Sequence, residues 1–148
     1  MLIRNQGAVD AAKKMIRAGQ AICAVILEDR IVEVRQATGL APIVELYEAG
    51  MLKGAVIVDK IVGRAAAFVM ALGGAAACYG LTVSAGAVAY LRDCGIAVQY
   101  DLCAHQIINR RGDGLCPMED AVKDIKDAAE AYVAIKSRMA ELVSQKRR

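Results

Sequence analysis

The chain has 148 residues, 57% hydrophobic and 24% charged, with two prolines and no tryptophan. That composition excludes a disordered segment. At this length roughly 68–70% of the unfolded surface can be buried, enough for one core without a disulfide or a structural metal, so a single domain over residues 1–148 is expected. Nineteen Lys+Arg against sixteen Asp+Glu give a net charge of +3, and Lys146, Arg147 and Arg148, in a basic tail at about 144–148, supply three positive charges; the near-neutral body argues against a nucleic-acid partner.

The elements follow in chain order. Asn5 to Gly19 places Ala8, Ala12, Met15 and Ile16 along one face, which predicts an amphipathic helix stopped by Gly19. The apolar run Ala21–Leu27, the turn Glu28-Asp29-Arg30 and the alternating Ile31–Arg35 predict a β-hairpin. Pro42 opens a second helix that ends at Gly50, and Gly54–Val58 is a short strand. Asp59–Leu72 follows as a buried helical segment. A strand at Ala75–Tyr79, a loop at Gly80–Val83, a helix at Ser84–Cys94 and a strand at Ile96–Tyr100 come next. A polar loop then leads to a final helical region from Cys116 to about Val143.

This alternation predicts an α/β fold, a three-layer α-β-α sandwich with a mixed sheet, whose later strands are parallel because crossover helices return them. The stretch Ala65–Leu91 carries no charge and is long enough to span a bilayer. Its Ala and Gly content, with Gly73-Gly74 and Gly80 interrupting it, predicts instead a buried helix–strand–helix and no membrane partner. Five cysteines, Cys23, Cys78, Cys94, Cys103 and Cys116, include no CxxC pair. They fit free thiols in a reducing cytoplasm. The start, Met1–Gln6, lacks the apolar core of a signal peptide, so a cytoplasmic location is expected.

Ligands of open α/β sheets bind beyond the carboxyl ends of the strands, beside helix N-termini. Asp59 after its strand, Gly63 permitting close backbone approach and Arg64 with planar donors form one such position; a cap or a salt bridge within the domain is the alternative. Thr82 and Ser84 either cap the next helix or share its donors with a ligand. The loop containing Asn109, Arg110, Gly112 and Asp113 ends at Cys116, just before Pro117, at an expected helix N-terminus. There Cys116 is either a reactive thiolate or a cap, with Glu119 completing a capping-box-like arrangement. His105 is the only histidine.

The motif Asp59-Lys60-Ile61-Val62-Gly63-Arg64-Ala65-Ala66-Ala67, with Asn109-Arg110, Gly112-Asp113 and Cys116-Pro117-Met118-Glu119, resembles a small prokaryotic family of unknown function with a cytidine-deaminase-like fold. The likeness covers approximately Asn5 to Ala134. Zinc deaminases need H-x-E on one helix and P-C-x-x-C on the next. This sequence has Gly63-Arg64-Ala65-Ala66 and Thr82-Val83-Ser84-Ala85-Gly86 there, so neither metal nor cofactor is expected. Two functions fit. One is a zinc-free site for a nucleotide-like or other anionic small molecule, formed by Asp59, Gly63, Arg64, Thr82, Ser84 and the loop to Cys116. The other is a non-catalytic structural or interaction protein on the same scaffold; a homo-oligomer suits either.

Overall fold

A computed structural model describes residues 6–146; Asn5, where the first helix was expected to begin, and Arg147-Arg148 of the basic tail lie outside them. Helix α1 (Gln6–Arg17) is followed by strands β1 (Cys23–Leu27) and β2 (Arg30–Arg35), helix α2 (Ala41–Glu48), β3 (Val56–Val62), α3 (Arg64–Leu72), β4 (Ala77–Ser84), α4 (Ala85–Asp93), β5 (Ala97–Ala104), α5 (Pro117–Val122) and α6 (Ala128–Lys146). The five strands form one sheet in the order β2-β1-β3-β4-β5. β1 runs antiparallel to both β2 and β3, whereas β3, β4 and β5 are parallel.

Two apolar layers cover this sheet. On one face Val9, Ala12 and Ile16 of α1 pack on Ala24, Ile26, Val56, Val58 and Tyr79. On the other, the remaining helices bury Phe68, Met70, Val88, Leu91, Val122 and Ile135 against Val25, Ile57, Cys78 and Val98. The result is the α/β sandwich on a mixed sheet expected from the alternating pattern. No helix among the described residues is long and apolar enough to cross a membrane, and the uncharged stretch is divided among α3, β4 and α4.

The hairpin turn is two residues, Glu28 (φ 50) and Asp29 (φ 63), both in the left-handed conformation that matches the twist of the flanking strands. Five boundaries differ from expectation. Asp59–Val62 continues β3 instead of opening a helix, and α3 starts only at Arg64. Gly80–Val83 is strand, not loop. In both places the β-branched Ile61, Val62 and Val83 lie in ladders with neighbouring strands, and this pairing overrides the local Gly and Thr signals. The same ladder extends β5 past Tyr100 to Ala104. The last helical region is broken between Val122 and Ala128, and α6 carries helix through residues 144–146, where a tail was expected.

Candidate functional site

Because β3, β4 and β5 are parallel, their carboxyl ends lie at one end of the sheet, where α3 and α4 begin and where α5 packs against α3. Deeper in the sheet, at the fourth residue of each of these three strands, register aligns a single row across all five: Arg35, Cys23, Asp59, Gly80 and Tyr100. Asp59 sits in the middle strand of this row, 6% exposed. Its carboxylate accepts backbone N–H hydrogen bonds from Lys60 (2.8 Å) and Ile61. Burial outweighs those bonds and pushes its pKa up to about 7, from an ordinary 3.8. The thiols beside it respond to the same environment: burial, then the Asp59 charge, raise Cys23 to about 12 and move Cys78 upward as well. Both buried thiols therefore stay protonated at neutral pH.

The α3 N-terminus is already occupied. Glu119 of α5 accepts hydrogen bonds from the N–H groups of Arg64 (2.7 Å) and Ala65 (2.8 Å), one at each carboxylate oxygen. A charged acceptor at a helix N-terminus satisfies orphan donors and complements the dipole. Gly63 precedes those donors, and a Cβ on it would fall inside the volume of the Glu119 carboxylate. The Arg64 side chain reaches the other way. It donates to the carbonyls of Val122 (3.1 Å), Lys123 (3.2 Å) and Ile125 (2.6 Å), at the end of α5. Its guanidinium carbon also lies 5.0 Å from the Phe68 ring centroid. Gly86 leaves room for the Arg64 stem, where a side chain would collide with Arg64 Cδ. Two helix ends thus cap one another: α5 supplies the carboxylate for α3, and α3 supplies the guanidinium for α5.

The remaining expected residues fall into three places. Ser84 is the N-cap of α4 and accepts from the Ala87 N–H (3.1 Å), whereas Thr82 is half-buried in β4, in register with Ile61 and Leu102. Asn109 organises its own turn. Its Oδ1 accepts from the N–H groups of Gly112 (2.9 Å) and Asp113 (3.3 Å), and its Nδ2 donates to Asp113 (2.8 Å). Arg110 extends from this turn to Thr38 (3.2 Å). Cys116 is half-buried against the helical core at the start of α5, and its side chain makes no capping hydrogen bond. Glu119, expected to cap α5 together with Cys116, caps α3 instead. His105 is exposed just beyond β5.

A second polar cluster escaped the sequence reading because its members are far apart in the chain. Lys13 of α1 donates to Tyr79 Oη (2.7 Å) and Asp101 (3.1 Å), and lies 4.3 Å from the Tyr79 ring centroid. Tyr79 and Arg17 also donate to Asp101. The helix periodicity of α1 could have flagged Lys13, which sits beside its buried stripe. Nothing local marked Tyr79 or Asp101.

No buried side-chain nitrogen or oxygen among the described residues lacks a hydrogen-bond partner, and no group of three or more His, Cys, Asp or Glu there could hold a metal ion. Open surface depressions lie elsewhere, one lined by Arg92 and Gly95–Val98 at the amino end of β5 and one along Ser137, Ala140 and Glu141 of α6.

Comparison with known proteins agrees with this architecture. The crystal structure of a DUF1893 family protein (TM1506) from Thermotoga maritima superposes with a TM-score of 0.79 over 95% of this chain and 92% of that one, at 22% identity. A structure of Acinetobacter baumannii RibD gives a TM-score of 0.40 at 16% identity, over 65% of this chain and 33% of that one. No curated protein matches by sequence. The sequence profile of the domain of unknown function DUF1893 matches residues 11–139, and the chain belongs to that family.

Proposed function

We propose that this protein is a non-catalytic structural or interaction protein that retains a cytidine-deaminase-like scaffold and works through its surfaces, as a homo-oligomer. The observation that carries this reading is the Glu119 carboxylate on the N–H groups of Arg64 and Ala65. In an open α/β sheet that is where an anionic ligand is held, and here a side chain of the same chain takes the place. The Arg64 guanidinium, the other feature suited to an anion, is engaged by three backbone carbonyls.

A second reading, a site for a nucleotide-like or other anionic small molecule with Cys116 as a nucleophile, is favoured by one observation. Asp59 is a buried titratable carboxyl in β3, four residues before the Gly63 that opens α3, and perturbed carboxyls concentrate at functional sites. Asp59, Gly63, Arg64, Thr82, Ser84, Asn109, Arg110, Gly112 and Asp113 would then surround the ligand once α5 had moved away.

Thermal denaturation of the wild type against a panel of nucleotides and small anionic metabolites, with mass spectrometry of the Cys116 peptide, separates the two. The interaction reading expects no saturable stabilisation and an unmodified thiol. Saturable stabilisation by one ligand class, or a defined Cys116 adduct, overturns it in favour of the second reading.

A further inference from the structure

The sheet has two edges, and only one is defended. An edge strand exposes unpaired N–H and C=O groups, and proteins discourage pairing there with charges, bulges or short strands. β2 carries Arg30, Glu33 and Arg35 in six residues, and its register against β1 shifts between Val25 and Ile26. β5 has eight residues and pairs only with β4 among the described residues. Its one charge, Asp101, is held within the chain by Lys13 and Arg17. Tyr100 is 37% exposed and Leu102 is 59% exposed.

The sequence of β5 is also self-complementary. Read outward from Tyr100, Gln99 answers Asp101, Val98 answers Leu102 and Ala97 answers Cys103. An antiparallel copy centred on Tyr100 therefore places an amide opposite a carboxylate, apolar opposite apolar and small opposite small, with Tyr100 facing its own counterpart. Opposed residues of these types are the unit of sheet stabilisation. Centring on Asp101 would instead oppose two carboxylates. A two-fold interface must present one patch compatible with itself, and this strand does.

Resting on the interaction reading above, we infer that β5 pairs antiparallel with β5 of a second copy about a two-fold axis at Tyr100, joining two five-stranded sheets into one of ten strands. The pairing gives the outward N–H and C=O groups of β5 their partners and covers Leu102 with Val98 of the other copy.

Sedimentation of the full chain over a range of concentrations tests this. The wild type sediments as a dimer, and Leu102→Lys weakens dimerisation by at least about tenfold with an unchanged far-ultraviolet circular dichroism spectrum. Ile61→Lys is the control: Ile61 is exposed and lies in register with Thr82 and Leu102, but two strands in from the edge. It leaves the dimer intact. Register is read from Tyr100→Cys on a C94S/C103S background, which cross-links to a covalent dimer with a mild oxidant. A wild type that is monomeric throughout, a dimer that Ile61→Lys dissociates and Leu102→Lys spares, or the absence of the Tyr100→Cys cross-link overturns the inference. These outcomes are independent of the ligand titration, so a failed interface and a failed interaction reading are told apart.

Discussion

The carboxyl end of the parallel strands and the outer edge of β5 are both places where an α/β sheet leaves backbone groups unpaired, and the protein treats them in opposite ways. At the carboxyl end, α5 folds back and the chain supplies its own partners: Glu119 accepts from the Arg64 and Ala65 N–H groups of α3, Arg64 donates to the carbonyls at the end of α5 and Ser84 caps α4. At the edge, the outer side of the eight-residue β5 has no strand beside it among the described residues. The end where ligands are held in other α/β proteins is closed by the chain itself, and the surface offered outward is backbone. On that contrast rest the proposed interaction reading and the inferred pairing along β5.

The largest expected effect is at Asp59, buried in β3 behind the closed end. Its folded pKa of about 7 lies above the ordinary 3.8, so between those values the folded chain holds a proton that the unfolded chain has released. The associated stability is fully present below the lower value and is lost as pH rises through the higher one. Replacing Asp59 with Asn removes this dependence. Relative to Asp59→Asn, the wild type loses on the order of 4 kcal/mol between pH 4 and pH 8. Urea unfolding of both proteins at several pH values measures it, and parallel pH profiles would show that Asp59 titrates normally.

Next in size is Arg64→Ala, which leaves the Val122, Lys123 and Ile125 carbonyls without their charged donor and removes the ring contact with Phe68. A loss of about 3 kcal/mol is expected, with faster amide exchange through α5. Glu119→Ala acts on the same junction from the other side. Losing a charged cap costs about 1–2 kcal/mol, and exchange should accelerate first at the Arg64 and Ala65 amides. Unchanged exchange there would mean that α5 does not hold the α3 N-terminus closed. The smallest effect belongs to the defended edge: Val32→Lys on β2, an exposed position, should alter stability by no more than about 0.5 kcal/mol and leave association as it was. A dimer disrupted by Val32→Lys would erase the distinction between the two edges.

Much of the fold was legible because periodicity and punctuation agree with it. The stripe of α1, Pro42 at the start of α2, the hairpin turn at Glu28-Asp29 and Ser84 before α4 were each marked by local chemistry. The boundaries at Asp59–Val62 and Gly80–Val83 were not. Their Asp, Gly and Thr signals point away from strand, and pairing with neighbouring strands decides them: β4 holds Ile61 and Val62, and β3 and β5 together hold Gly80–Val83.

The candidate site divides in the same way. Asp59, Gly63, Arg64 and Ser84 stood out as polar or glycine positions at apolar junctions, and the fold brings Gly63, Arg64 and Ser84 to one end of the sheet with Asp59 buried mid-strand in β3. What each does there depends on partners 50 residues or more away for Arg64, which meets Glu119 and Val122 at separations of 55 and 58. The amino-acid sequence by itself determined the order of elements, the two apolar layers and the self-complementary pattern around Tyr100, because these depend on local spacing and residue type. Only the tertiary structure decided that Glu119 closes α3, that Asp59 is buried and that β5 is an edge, because hydrogen-bond partnership, desolvation and strand order are set by residues remote in the chain.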